Sequence, residues 1–281
     1  MVAATFGRSV RDTWAEDVPA KKPALRFGLI TDVHYADREP TSTRFYRESI
    51  AKMREAVAKF RETKPEFVIE VGDFIDEAPT VEDEIGHLQT IDAEYAKFGG
   101  DRHYVLGNHC VWTLTKRQFL DNCGMKAAHY SFDKGSHHFV ILDACYRTDG
   151  VPYGDKNNKW DDTDVPAAQR DWLADDLKAT SKPTMVFIHQ RTDIADPHAI
   201  KSSAEVRKVL EESGKVLAVF QGHHHINVHN EINGIHYCTM MATVEGTGET
   251  NNAYALVEVF ANGTITVNGF RNQTDYAFVK G

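Results

Sequence analysis

Thiols are scarce in this 281-residue chain, and the four present, Cys110, Cys123, Cys145 and Cys238, lie far apart with no Cys-x-x-Cys pair. That spacing gives no basis for a zinc ribbon or a disulfide-stapled scaffold. No run approaches the ~20 apolar residues that a membrane span requires, so a soluble protein without membrane association is expected. Residues 1–23 lack the apolar core of a secretory leader, and the compartment is left open. Positive charge is short too: 32 Lys and Arg stand against 41 Asp and Glu, a formal charge of −9, with no basic stripe. Nucleic-acid backbones are held by clustered Lys and Arg, so a polymeric nucleic-acid partner is disfavoured and a small phosphorylated substrate is the better match. Internal repeats and low-complexity tracts are also missing.

What is present is ordinary for a folded core: 42% hydrophobic and 26% charged residues. A chain of this length buries roughly 75% of its unfolded surface. One domain over 24–281 is expected, after a weakly ordered or extended segment over 1–23; nothing indicates an oligomeric state.

Hydrophobic spacing alternates between two periods. Leu25 to Thr31, Phe67 to Val71 and His103 to Leu106 read as strands, with helices predicted over Thr41–Thr63 (Tyr46, Ile50, Met53, Val57 and Phe60 on one face, closed by Pro65) and Val81–Phe98. This half should be largely parallel. Tyr130–Phe132 and His138–Leu142 look like a hairpin joined by residues 133–136, and Pro166 opens a helix that stops before Pro183. Met185–Ile188 and Val216–Phe220 are strands around a helix over 202–213. The C-terminal part should be antiparallel, with two-residue turns at Asn233-Gly234 and Asn262-Gly263. Two sheets face to face with helices outside is the predicted architecture. Residues 143–163 form the one long irregular stretch, and a loop of that length in a compact domain is usually functional; it should lie over the crevice.

The chemistry gathers at the ends of the predicted strands. Asp32 and His34, Asp73 and Asp76, Asn108 and His109, His189, and His223, His224 and His225 each follow a short β-like run. That is where an open α/β sheet keeps its ligand crevice. Hard oxygen and borderline nitrogen donors suit Mn²⁺, Fe or Zn²⁺. A carboxylate such as Asp73 has enough lone pairs to bridge two cations.

The order Asp-x-His, Gly-Asp-x-x-Asp, Gly-Asn-His, His, Gly-His-x-His resembles the calcineurin-like metallophosphoesterases from about residue 26 to 270. A narrower likeness covers Asp32-Val33-His34-Tyr35-Ala36-Asp37, Arg44-Phe45-Tyr46-Arg47-Glu48-Ser49 and Val244-Glu245-Gly246. These stretches are similar to the branch of manganese-dependent ADP-ribose and CDP-alcohol diphosphatases. The resemblance implies an α/β (α+β) fold, a four-layer α/β/β/α sandwich of two mixed sheets flanked by helices. It implies two divalent metal ions, manganese favoured, with Asp32, His34, Asp73 and His225 on one and Asp73, Asn108, His189 and His223 on the other.

The implied activity is a metal-dependent phosphoric ester hydrolase cleaving a small phosphodiester or a nucleoside-diphosphate-type pyrophosphate. A phosphomonoesterase using the same site is the nearest alternative, and an inactive scaffold of the same fold a more distant one. Two metals about 3.5–4 Å apart acidify a bridging water, and attack is then by that hydroxide rather than by a side chain. His109 takes the family's acid or transition-state role. Two positions depart from the pattern. Cys110 stands where many relatives carry an acid, so either another acid orients His109, with Asp76 a candidate, or a good leaving group makes its protonation less important, and His34 stands where the diphosphatases tend to have Gln. His224, His137 and His138 have no assigned role. Tyr35, Arg44, Arg47, Tyr146 and Arg191 are the candidate substrate contacts, since a guanidinium fork suits phosphate and Tyr can stack on a base; Tyr46 belongs to the same set. Arg44 and Arg47 are expected one helical turn apart beside Asp37.

Overall fold

Period-two alternation in each strand divides the apolar residues between two faces, and a computed structural model, which describes residues 22–279, shows where each face goes. Most of the N-terminal segment, residues 1–21, lies outside the described residues. In β1 (Leu25–Ile30), Leu25, Phe27 and Leu29 point one way and Ile30 the other. In β5 (His137–Ile141), Phe139 and Ile141 meet them, while Val140 faces outward. Phe27 is the hub, stacked on Phe67 at 5.2 Å and edge-on to Phe139, Phe187 and Phe220 at 5.7–5.8 Å.

The inner faces belong to two six-stranded sheets. The first runs β12 (Tyr276–Phe278), β11 (Ile265–Arg271), β10 (Ala253–Val259), β1, β2 (Phe67–Glu70), β3 (Asp101–Tyr104). The second runs β4 (Tyr130–Lys134), β5, β6 (Thr184–Phe187), β7 (Val216–Gln221), β9 (Ile235–Thr239), β8 (Val228–Ile232). Helices α1 (Ser49–Thr63), α2 (Val81–Tyr95) and α3 (Lys116–Cys123) cover the outside of the first sheet through Met53, Phe60, Leu88, Ile91 and Phe119. Helices α4 (Ala167–Ala179) and α5 (Ser203–Ser213) cover the second through Leu173, Leu177, Val206 and Leu210. The result is the predicted α/β/β/α sandwich. Among the described residues no helix is long and apolar enough to cross a membrane.

Several local expectations are corrected. The helix predicted from Thr41 begins at Ser49 after a 3-10 turn over Tyr46–Glu48. Upstream, Thr41 and Arg44 close a tight turn, and the Phe45 N–H donates to Val244 O at 3.1 Å, which holds this stretch out of the helix. Strand β3 lies two residues earlier than expected, with Val105 still bonded to Glu70. The hairpin over 133–136 needs only Gly135 and Ser136, since Lys134 pairs with His137. Asn233-Gly234 is the two-residue turn expected, but β10 and β11 turn more loosely: Val259 pairs with Ile265, and Phe260 bonds Thr264 around Ala261–Gly263. The C-terminal part is not wholly antiparallel, because β9 lies parallel to β7. The helix α3 and strand β12 have no counterpart in the sequence reading, although Thr115 and Gln118 form a complete capping box ahead of α3.

Parallel strands β1, β2, β3, β6 and β7 therefore send their carboxyl ends toward one edge of the sandwich. Pairing continues past them: Asp32 N–H donates to Gly72 O and His34 N–H to Asp73 O at 2.9 and 2.8 Å. The segment after β9 crosses over to them, with Thr243 bonded to Thr31 O and Val244 to Asp32 O.

Candidate metal centre

Asp32, His34, Asp73, His223 and His225 all have φ between 46° and 66°, a region few non-glycine residues occupy. The turn out of each strand is thereby sharp enough to aim neighbouring side chains into one space. The glycines beside them are fixed by crowding. A Cβ on Gly107 would overlap the Asp73 amide and carboxylate, and one on Gly222 would overlap the Thr31 hydroxyl and the Asp32 carboxylate. Loops from different strands thus interlock at the floor of the site.

Four groups of donor atoms within 4.8 Å of one another result among the described residues, and two of them share no residue and face each other across the floor: Asp32, His34 and His225, and Asp73, His189 and His223. His34 Nε2 lies 3.7 Å from Asp32 Oδ1, 3.5 Å from Asp73 Oδ2 and 3.2 Å from His225 Nε2. His189 Nε2 lies 3.0 Å from Asp73 Oδ2 and 3.9 Å from Asp32 Oδ1. Asp73 is thus between the two groups. Asn108 is buried beside them on the same cavity wall, its Oδ1 3.5 Å from Gln190 Nε2.

The far nitrogens of three rings are engaged. His189 Nδ1 donates to Val71 O at 2.9 Å, His34 Nδ1 meets Asp76 Oδ2 at 2.9 Å and His225 Nδ1 meets Glu245 Oε1 at 2.6 Å. Such partners fix the tautomer and leave Nε2 as a free donor of its lone pair. The electrostatics follow from packing charges without water. Burial would raise Asp32 and Asp73, but the His189 imidazole, helped by His225 for Asp32 and by His109 for Asp73, holds both well below the ordinary carboxylate range. Burial would likewise lower His225, yet Asp32 and Glu245 push it up to about 9. His223, with burial and the His189 charge against it, is pushed down.

His109 sits beside this floor. Its backbone N–H donates to Asp73 Oδ1 at 2.8 Å, and its ring Nδ1 is 3.3 Å from Asp76 Oδ1. Asp76 is fully buried and gathers His34, His109 and the Arg38 guanidinium at 3.1 Å. Asp76 thus brings a carboxylate within 3.3 Å of the His109 ring. Burial works against a charged His109, but Asp76 and then Asp73 outweigh it and raise the ring to about 9. Cys110 is fully buried, accepts the Phe74 N–H at 3.3 Å, and burial pushes its thiol up; it is a packing residue.

A cavity of about 680 Å³ opens over the floor, bounded by Asp73, Asn108, His109, His223 and His225 below and by Arg44, Trp112 and residues 158–161 around it. The long loop over 143–163 does lie over the crevice. Of the predicted substrate contacts, only Arg44 reaches this wall, and it does so from a turn rather than a helix. Arg47 is spent on Asp37 and Glu39, both at 2.5 Å. Arg191 is buried in a two-point pair with Asp193 at 3.0 and 2.7 Å. Tyr146 lies under the Lys116 ammonium, 3.2 Å from its ring centre, and Tyr46 under Arg38 at 3.9 Å. Tyr35 lines a second groove that shares Glu77 and Trp112 with the cavity. Arg47, Arg191, Tyr146 and Tyr46 are thus paired with neighbours away from the cavity wall. Glu245, Trp112, Asn158, Lys159 and Trp160 were missed; Glu245 lay within a family-like stretch, while Trp160 lay in the loop that was expected to cover the site.

A sandwich of two mixed sheets with acids and imidazoles converging at its strand ends defines the dimetal phosphohydrolase class. A solved dimetal phosphatase from Danio rerio shares this fold with a TM-score of 0.81, covering 92% of this chain and 100% of that one at 22% identity. The calcineurin-like phosphoesterase family model matches residues 25–227. The chain belongs to that family and is a metal-dependent phosphoric ester hydrolase. Among curated relatives, the manganese-dependent ADP-ribose/CDP-alcohol diphosphatase of Oryza sativa subsp. japonica is 25% identical over 88% of this chain and 92% of its own length. Its Danio rerio namesake is 34% identical over 41% of this chain and 38% of its own.

Proposed function

We propose that this chain cleaves a small nucleoside-diphosphate-type pyrophosphate or phosphodiester, with two manganese ions held by Asp32, His34, Asp73 and His225 and by Asp73, Asn108, His189 and His223. The observation that carries the reading is the pair of adjacent donor groups sharing a floor around Asp73. The buried His223 Nε2, which has no hydrogen-bond partner, fits the same reading, since such an atom is costly unless something binds it. When bound, divalent ions polarise phosphoryl oxygens and acidify water to neutral pH. The curated relatives named above support the diphosphatase choice and the metal.

The chain's own side chains do the rest. His109, oriented by Asp76, is placed to donate a proton to the departing oxygen. Arg44 offers a guanidinium from the wall to a second phosphate. The Asp73 carboxylate, by accepting the backbone N–H of His109, anchors this residue beside the floor.

The test is reconstitution. Protein stripped by a chelator and resupplied with Mn²⁺ should regain hydrolysis of bis(4-nitrophenyl) phosphate, ADP-ribose and CDP-alcohols, with two ions bound per chain. Silence across that panel with every divalent metal overturns the proposal. Faster hydrolysis of simple monoesters than of any diester or pyrophosphate would favour the phosphomonoesterase instead.

A further inference from the structure

Trp160 is the largest side chain left exposed among the described residues, 47% open to solvent, and it is on the wall of the catalytic cavity. Its ring centre is 6.0 Å from that of His223 and 5.3 Å from that of His198. An indole face open to water beside a phosphoryl-binding floor is unfavourable unless something covers it.

The loop that carries it is built rather than slack. The Tyr153 hydroxyl, buried beneath, reaches the carbonyls of Lys159 at 2.9 Å and Asp162 at 2.6 Å, one on each side of Trp160. Asn158 Nδ2 donates to Asn108 O at 3.1 Å and so ties the loop to the floor. The Lys156 N–H donates to Trp112 O at 2.7 Å, which joins the loop to the second indole of the wall. His198, next to Trp160, is itself stacked on His224 at 3.7 Å, and His224 accepts from Arg191 at 2.9 Å. Both sides of the platform are therefore fixed. Lys159 adds positive charge at the same rim.

Resting on the proposed hydrolysis at this floor, we propose that Trp160 is the stacking platform for a heteroaromatic base, so that the preferred substrates carry a nucleoside on one side of the scissile bond. The phosphates lie toward the floor, Arg44 and Lys159, and the base lies flat on the indole. Base stacking on an aromatic side chain is sequence-tolerant and is worth roughly 5- to 150-fold in affinity. This arrangement selects nucleoside-linked phosphates over alkyl ones without choosing one base.

The experiment compares AMP with ribose 5-phosphate, which share sugar and phosphate and differ in the base, as ligands of the Mn²⁺-reconstituted full chain. Calorimetry should show AMP binding at least 5-fold more tightly to the wild type. Trp160→Ala should remove that advantage while leaving ribose 5-phosphate unchanged, and Trp160→Phe should restore most of it. Equal binding of the two ligands by the wild type overturns the proposal, as does an equal loss of both in Trp160→Ala. Hydrolysis of bis(4-nitrophenyl) phosphate by the wild type is read alongside. If it fails, the hydrolytic reading falls on its own, while the ratio of the two affinities still decides the platform.

Discussion

Replacing Asp76 by Asn changes one oxygen to an amide and should disable two histidines at once. Asp76 is fully buried, with Oδ2 2.9 Å from His34 Nδ1 and Oδ1 3.3 Å from His109 Nδ1, and Oδ1 also accepts the Glu77 N–H at 2.8 Å. An Asn that keeps the Glu77 bond turns its NH₂ toward His34. The ring must then accept at Nδ1 and carry its proton on Nε2, the atom that faces Asp32, Asp73 and His225. Losing such an orienting partner costs 10- to 100-fold in metal affinity, about 1.4–2.8 kcal/mol. His109 suffers separately. Its position near 9 reflects burial opposed first by Asp76, so without that charge it should titrate near or below the ordinary 6.5, a change of about 3 kcal/mol. At pH 8 the protonated fraction of the metal-free protein would fall from about nine tenths to a few per cent. Imidazole titration by NMR on the metal-free protein and Mn²⁺ calorimetry on the reconstituted one measure the two effects, with thermal unfolding as the control for folding. A variant that binds two ions at wild-type affinity and leaves His109 titrating near 9 would refute the orienting role.

Three further outcomes are expected. His109→Ala should keep both metal ions, counted by elemental analysis, yet lose roughly 10²–10⁴ in turnover on substrates with poor leaving groups; full turnover there would remove its acid role. His225 is raised to about 9 in the metal-free fold, so its stabilising charge is complete below about 6.5 and is lost as pH rises through 9. A cation must displace that proton, so Mn²⁺ affinity should climb roughly tenfold per unit between pH 7 and 9, with proton release visible by calorimetry in buffers of different ionisation enthalpy. Lys52 is fully buried and its ammonium donates to Thr243 O, Glu245 O and Gly246 O at 2.7–3.0 Å. Lys52→Met should cost about 3 kcal/mol by leaving these carbonyls unpaired, and the loss should appear in urea unfolding. Because burial lowers this lysine to about 8, its own contribution to stability should rise as pH climbs from about 8 toward 10.5, read as the widening gap between wild type and Lys52→Met over that range.

The sandwich was legible because its central strands are short apolar runs, such as Phe67-Val68-Ile69 and Met185-Val186-Phe187, and helix α1 carries an apolar stripe. The strands over Leu25–Thr31, Phe67–Val71 and Met185–Ile188 could be placed before any coordinates. The Thr41–Phe45 stretch could not, because it is held by Val244, a residue about 200 positions away, and local periodicity carries no trace of such a partner. Acids and imidazoles were legible for a related reason, as each directly follows a strand. The direction of Arg191 and Arg47 is not legible, because an arginine's chemistry is the same whether it faces a phosphate or, as here, Asp193 or Asp37. Trp160 was hidden by its surroundings, since nothing in a polar loop marks which residue will overhang a cavity.

The left-handed backbone at Asp32, His34, Asp73, His223 and His225 also bears on how this chain can evolve. Each such residue costs roughly 1–2 kcal/mol relative to a glycine, in a domain whose whole stability is of order 5–15 kcal/mol. At His223, whose buried ring gains no stabilising charge, selection for stability alone would favour Gly or Asn, whereas at His225 and the two acids the charge pairs described above oppose that drift along with the demand for donor atoms. A descendant released from catalysis should lose its site residues first at His223, while the sheets beneath stay intact. His223→Gly, which removes a donor and relieves one strained turn, should show that trade directly as a raised melting temperature in the metal-free protein.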